Sequence, residues 1–174
     1  MKIYFHFTRS LENKTMPEQI KETGCCKPFN PEPWQEKEIV WDNKVFLKDH
    51  VTSFFHIPLN TGGKVLKNMK LIETAGALSE VQLMLFDENS PWGADIYINV
   101  SKEVPGAQME KISGTFLTKV FEGPYGNAKK WVKEMDEYVK SKGKTTKKLY
   151  FSYTTCPRCA KAYGKNYVVL FAQI

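Results

Sequence analysis

Laying Phe55-His56-Ile57-Pro58 over Phe121-Glu122-Gly123-Pro124 puts Leu59 on Tyr125, Val65 on Trp131, Leu66 on Val132 and Met69 on Met135. The chain matches itself over a strand, a Pro turn and an amphipathic helix. Such a match implies two copies of one small unit, and a unit of that size must bury its apolar face against its neighbour. In the first helix Val65, Leu66, Met69, Ile72 and Ala75 recur mostly at three- and four-residue steps, as Ala128, Trp131, Val132, Met135, Tyr138 and Val139 do in the second. Gly76 and Gly143 fall just past the helix ends, and Asn127 precedes the second helix as a candidate cap.

Strand-like runs follow each helix: 81–86 and 95–100 in the first half, 149–153 and 166–171 in the second. Asn89-Ser90-Pro91-Trp92-Gly93 and Tyr163-Gly164-Lys165 supply the turns between them. The expected fold is α+β: two β-α-β-β repeats with pseudo-twofold symmetry, a mainly antiparallel sheet and a central hydrophobic cleft along the seam. The repeats span about 36–104 and 105–174. Residues 1–35 read as an extension, because Pro28, Pro31 and Pro33 disfavour both helix and central strand. Glu38-Ile39-Val40-Trp41 reads as a strand only weakly.

With 42% apolar residues and 11 Phe, 8 Tyr and 4 Trp, the chain has material for a substantial core. No apolar run approaches the roughly 18 residues of a membrane span, and Met1–Arg9 turns polar too early for a signal peptide, so a cytoplasmic location without membrane contact is expected. The net charge of +6 comes from basic residues interleaved with acids. Its densest group, Lys140, Lys142, Lys144, Lys147 and Lys148, joins a helix to a strand and reads as a solvated loop, not a nucleic-acid footprint.

Four cysteines stand as Cys25-Cys26 and Cys156-Pro157-Arg158-Cys159. Adjacent cysteines rarely bridge each other, and a redox Cys-Pro-x-Cys opens a long helix after an early strand, whereas this one lies near the C-terminus. A zinc site needs a second ligand pair, and Cys25-Cys26 lacks the usual spacer. Structural thiols, with no metal and no cofactor, are the favoured reading; zinc and redox roles are the alternatives.

The repeat-equivalent His56 and Glu122 end strand one of each half, where an imidazole and a carboxylate facing the seam would make an acid/base pair. Solvent-facing strand ends are the competing reading. Aromatic side chains concentrate where the seam would lie: Phe54, Phe55, Trp92, Tyr125, Trp131, Tyr150, Tyr153 and Tyr167. Rings with polar tips suit a pocket for a flat ligand. Helix spacing favours a core role for Trp131, whereas Trp92, in a Pro-Trp-Gly turn, is placed to act as a lid. No phosphate loop, dinucleotide fingerprint, nucleophile elbow or paired-His metal motif occurs.

The doubled unit, with Phe121-Glu122-Gly123-Pro124-Tyr125 leading into the Trp131 helix, resembles the GyrI-like small-molecule-binding domain over about residues 36–174. The closing run Tyr153-Thr154-Thr155-Cys156-Pro157-Arg158-Cys159-Ala160-Lys161 is similar to a stand-alone, hydrolase-like subgroup. The resemblance implies two β-α-β-β repeats around a hydrophobic cleft. It implies either sensing of drugs or hydrolysis of cyclopropane-bearing alkylators. The drug sensors of that family carry a buried glutamate on a second-half strand, and 149–153 has no acid, which turns expectation away from cationic drugs.

The leading expectation is binding and hydrolysis of a flat aromatic or amphipathic small molecule, such as a strained-ring electrophile. Glu122 would activate water and Tyr153 would donate a proton, with Phe55, His56, Trp92, Tyr125, Trp131, Tyr150 and Tyr167 holding the ligand. The alternatives are a non-catalytic sensor or carrier and a zinc-stabilised interaction domain.

Overall fold

The computed structural model describes residues 26–54 and 57–174. The expectations for Phe55, His56 and Cys25 lie outside the described residues, as does the side chain of Phe54. Strand β1 (Lys37–Phe54) is followed by the short β2 (Ile57–Pro58), helix α1 (Thr61–Thr74), and strands β3 (Met84–Ser90) and β4 (Gly93–Asn99). Strand β5 (Gln108–Glu122) then leads through a single 3-10 turn (Tyr125–Asn127) to α2 (Ala128–Ser141) and β6 (Lys148–Tyr153). Helix α3 (Pro157–Tyr163) and β7 (Tyr167–Gln173) complete the chain.

All strand pairings are antiparallel. The order β1-β4-β3-β6-β7-β5 closes on itself because β1 also pairs with β5, giving a six-stranded, barrel-like sheet. The weak run Glu38–Trp41 is thereby absorbed into a strand of 18 residues that serves two neighbours in succession. Its register with β5 shifts between Trp41 and Lys44, where Asn43 adopts φ 50°, a left-handed conformation asparagine tolerates better than most residues.

Side-chain parity separates two faces. Inside the closed sheet lie Trp41, Phe46, Leu85, Tyr97, Phe116, Tyr150, Val169 and Phe171, all buried. Outside, α1 packs Ile72 and Met69 on Leu47 and Ile98, and Asp49 of β1 holds it by accepting from Lys64 Nζ (2.9 Å) and Asn68 Nδ2 (2.9 Å). Helix α2 packs Trp131, Met135, Tyr138 and Val139 on the outer residues of β5 and β7. Leu66, expected on the buried face of α1, is 74% exposed; the α1 face turned inward carries Asn68 and Ile72.

Residues 26–36 lie on the sheet. Phe29 sits 5.6 Å from the Tyr167 ring and Trp34 meets Phe171 edge-on at 5.5 Å. Thr118 Oγ1 donates to the Trp34 carbonyl (2.7 Å), and the Val120 N–H donates to Gln35 Oε1 (3.0 Å).

Strands β3 and β6 meet in a register of one pair, Phe86 opposite Phe151. On the inner face Lys148 Nζ bonds Asp87 Oδ2 (2.7 Å) across this junction and lies 4.9 Å from the centroid of the Tyr150 ring. Lys148 was expected in a solvated loop; strand β6 begins with it and its head turns inward. Burial lowers its affinity for the proton, but the Asp87 hydrogen bond and charge, with the neighbouring tyrosines, more than offset this and raise the ammonium pKa. Asp87 is 5% exposed, so removing Lys148 strands a carboxylate. Lys148→Met is expected to lower unfolding free energy in urea by about 2 kcal/mol, discounted for the partial exposure of the lysine, whereas Lys148→Met with Asp87→Leu recovers most of it.

Candidate functional site

On the outer face of the β3–β6 junction, Tyr153 donates a hydrogen bond to Glu88 Oε1. Each residue stands two positions C-terminal to its strand's member of the Phe86–Phe151 pair, so alternation puts all four side chains on one face, and because the strands run antiparallel the phenol reaches the carboxylate diagonally across that pair. The Tyr153 ring is flanked by Phe86 (5.2 Å, edge-on), Phe151 (6.2 Å, stacked) and Tyr125 (5.4 Å, edge-on). Tyr125 is held in turn by its hydroxyl, which donates to the Thr155 carbonyl at 3.0 Å. Glu88 and Tyr153 are half-buried and Tyr125 is 37% exposed, so the group lies at a partly exposed edge of the sheet.

Burial, then the negative charge of Glu88 and the hydrogen bond to it, hold the Tyr153 phenol far above its ordinary value of 10.0. The phenol is therefore a neutral donor throughout the physiological range. Losing that proton while Glu88 is charged would place two anions side by side, which Coulomb repulsion opposes.

The sheet register separates the two residues expected to act together. Glu122 lies opposite Tyr167, whereas Phe121 and Tyr153 both lie opposite Val168. Glu122 therefore belongs to the inner-face parity, at an exposed rim beside Gly123, Pro124 and Asn166, and Tyr153 to the outer. Tyr125 and Tyr153 are brought into ring contact, Trp131 belongs to the buried cluster that holds Phe86 and Phe151, and Tyr150 and Tyr167 lie on the inner face. Tyr150 is 3% exposed inside the sheet, edge-on to Tyr97 at 5.8 Å. Trp131 is 4% exposed and stacked on Phe121 at 5.9 Å, because its helix turns that stripe to the core. Both are buried core residues. Tyr167 packs against Phe29 on the inner side. Trp92, in the β3–β4 turn, is 57% exposed.

Reading the sequence missed Glu88. The available signal was the alternation Met84-Phe86-Glu88, which continues one residue pair beyond the apolar run. The neighbouring turn is fixed by Gly93, where an added Cβ would lie 2.7 Å from the Val51 carbonyl oxygen. A second grouping joins Cys26, Cys156 and Cys159, whose sulfurs all lie within 4.8 Å of one another.

The model of a family described as bacterial hydrolase matches residues 16–174. The chain belongs to that bacterial hydrolase family. Solved structures share its fold. A hydrolase from Listeria innocua has a TM-score of 0.57 at 14% identity, covering 80% of this chain and 91% of its own. An uncharacterized conserved protein from Listeria innocua has a TM-score of 0.57 at 13% identity, covering 79% and 91%. At that identity the likeness is one of fold. No curated protein matches the chain. Among the described residues, no helix is long and apolar enough to cross a membrane.

In an alkaline absorbance titration of this hydrolase-family chain, Tyr153→Phe is expected to leave the tyrosine ionisation curve unchanged up to the onset of unfolding. Glu88→Gln removes a negative neighbour and is expected to bring one additional phenol into the titratable range. An unchanged curve for Glu88→Gln would show that the carboxylate does not govern Tyr153.

Proposed function

We propose that the chain hydrolyses a small, flat aromatic or amphipathic electrophile, a strained ring among the candidates, at the outer edge of the β3–β6 junction. The observation that carries this reading is the Tyr153–Glu88 hydrogen bond set among Phe86, Phe151 and Tyr125 at a partly open edge. Membership of a hydrolase family supports the reaction type. The rings supply the apolar contact a flat ligand needs, and the two polar groups supply the chemistry.

Glu88 takes a proton from water as the water oxygen bonds to the electrophilic carbon, and the carbon–leaving-group bond breaks. The protonated Glu88 no longer penalises a phenolate, so Tyr153 gives its proton to the departing atom. The proton on Glu88 then returns to Tyr153 along their hydrogen bond, which restores both groups and leaves only water added to the substrate. The raised phenol pKa favours this order over a Tyr153 that acts first. In this reading Glu88 is the working carboxylate and Glu122, on the other parity, takes no part.

The order strand–helix–strand–strand on either side of β4–β5 supports a doubled β-α-β-β unit of the GyrI-like kind, with the β3–β6 junction as its seam. A sensor or carrier is the second reading. Its support is that Glu88 and Tyr153 already satisfy each other, an arrangement a binding wall needs no turnover to explain.

The test is incubation with a panel of planar electrophiles and cationic dyes, read by mass spectrometry for bound compound and for added water. For a compound that gains water, Glu88→Gln and Tyr153→Phe are each expected to lower kcat by about 10²–10⁴-fold with little change in binding, while Glu122→Gln keeps the native rate. Wild-type turnover by Glu88→Gln removes the mechanism. Saturable binding with every compound recovered unchanged favours the carrier.

A further inference from the structure

We propose that Cys26, Cys156 and Cys159 form a structural thiolate site for a zinc ion, which ties the segment before β1 to the loop that positions Tyr125. The three sulfurs lie within 4.8 Å of one another although one of them comes from the opposite end of the chain. Tetrahedral zinc holds sulfur at about 2.3 Å, which puts neighbouring sulfurs just under 4 Å apart, so shifts of about an ångström would bring the three sulfurs to three corners of the tetrahedron. Zinc is the ion this donor set suits, because soft thiolates are its characteristic ligands in structural sites; the three sulfurs leave the fourth corner to another donor.

The local chain is arranged as such a site requires. Cys156 and Cys159 have the two-residue spacing found in thiolate zinc sites, and Pro157 between them sets the backbone at the first turn of α3. The Cys156 N–H points at Cys26 Sγ, 3.4 Å away, so this sulfur already serves as an acceptor for a backbone donor. Cys159 is fully buried; Cys26 and Cys156 are half-buried. The Tyr163 hydroxyl donates to the Cys26 carbonyl, fixing the incoming strand of chain from the other side. A disulfide would join only two of the three sulfurs, whereas a metal uses all three.

The position explains what the ion would do. From Cys26 to Glu36 the chain has no helix or strand, yet it crosses the sheet with Phe29 and Trp34 as its main apolar anchors. An irregular segment with so few anchors gains order from a metal clamp at its start. The other side of the clamp is Cys156, directly after Thr155, whose carbonyl receives the Tyr125 hydroxyl. A bound ion would therefore hold both the N-terminal segment and the wall of rings beside Tyr153, with no part in bond making.

The test uses the full chain, purified under reducing conditions and reconstituted with zinc chloride alone, then with cobalt chloride. Metal analysis after gel filtration is expected to give about one zinc per chain, and the cobalt form is expected to show sulfur-to-cobalt charge transfer with intense tetrahedral bands. Cys26→Ser, at a half-buried site outside helix and strand, is expected to reduce retained zinc by about tenfold or more. A chelator is expected to lower the unfolding temperature of the native chain and to leave that of Cys26→Ser unchanged. Retention below a tenth of the chain concentration, a cobalt spectrum without sulfur charge transfer, or full retention by Cys26→Ser would each overturn the site. None of these results bears on Glu88 or Tyr153, whose reading stands or falls on turnover.

Discussion

The sheet closes through its narrowest joint. Strand β1 meets β5 over most of its length, and β5 meets β7, and β7 meets β6, over six or more residues, but β3 meets β6 at Phe86 and Phe151 alone. A backbone ladder of that length contributes little, since each hydrogen bond is worth only about 1 kcal/mol net. Side chains make up the difference, on both faces. Asp87 and Lys148 cross the joint inside the barrel, and Glu88 and Tyr153 cross it outside. Consecutive residues of β3 thus reach in opposite directions to the same partner strand, a direct consequence of the two-residue period of a strand.

The same shortage accounts for where chemistry can reside. In a long antiparallel ladder the cross-strand neighbours pack closely, and side chains between them are core. At β3–β6 the ladder is a single pair, and polar side chains on either side of it reach across where the two backbones no longer bond each other. The helices have covered the flanks: α1 over β1 and β4, α2 over β5 and β7. What is left between them is an aromatic floor with a carboxylate and a phenol at its open edge. The acid is satisfied by the phenol, so the low dielectric around it is tolerable, and the phenol is kept protonated by that acid. Each group sets the state of the other.

Much of this was legible in the residues. Helix periodicity located α1 and α2 because apolar stripes at three- and four-residue steps have few other uses, and Gly76 and Gly143 do carry the left-handed backbone that ends those helices. Runs of β-branched and aromatic residues located β4, β6 and β7. The strand pattern of β3 fades after Phe86 because Asp87-Glu88-Asn89-Ser90 are weak strand formers, held extended by β4 beside them. That fading hid Glu88, and Glu122, visible next to its Gly-Pro turn, took its place. Closure through β1 and β5 was hidden as well. A strand that serves two partners has no separate sequence signature, and parity assigned from one partner alone cannot say which rings go inside. Tyr150 and Tyr153, three apart on one short strand, therefore fall on opposite faces. The approach of Cys26 to Cys156 and Cys159 depends on the same closure, because the segment bearing Cys26 lies across the sheet that β5 and β7 build.

Two distant parts of the chain meet around one loop, and the geometry suggests why residues 26–36 belong to the working molecule. The rings of the candidate site need a wall that does not collapse onto the carboxylate. Tyr125 supplies that wall, yet it projects from a single 3-10 turn and is more than a third exposed, a poor foundation for a fixed ring. Its hydroxyl is anchored on the Thr155 carbonyl, in a loop with no strand partner of its own beyond the Thr154 contacts to Tyr167. Loops of this kind wander unless something outside them limits their freedom. Here that limit comes from the incoming segment: Tyr163 on the Cys26 carbonyl, Cys156 on the Cys26 sulfur, and Phe29 on the Tyr167 ring. The order of the site therefore rests on a strap that crosses the sheet from the far end of the sequence, and loosening the strap would blur the ring wall without touching either reacting group.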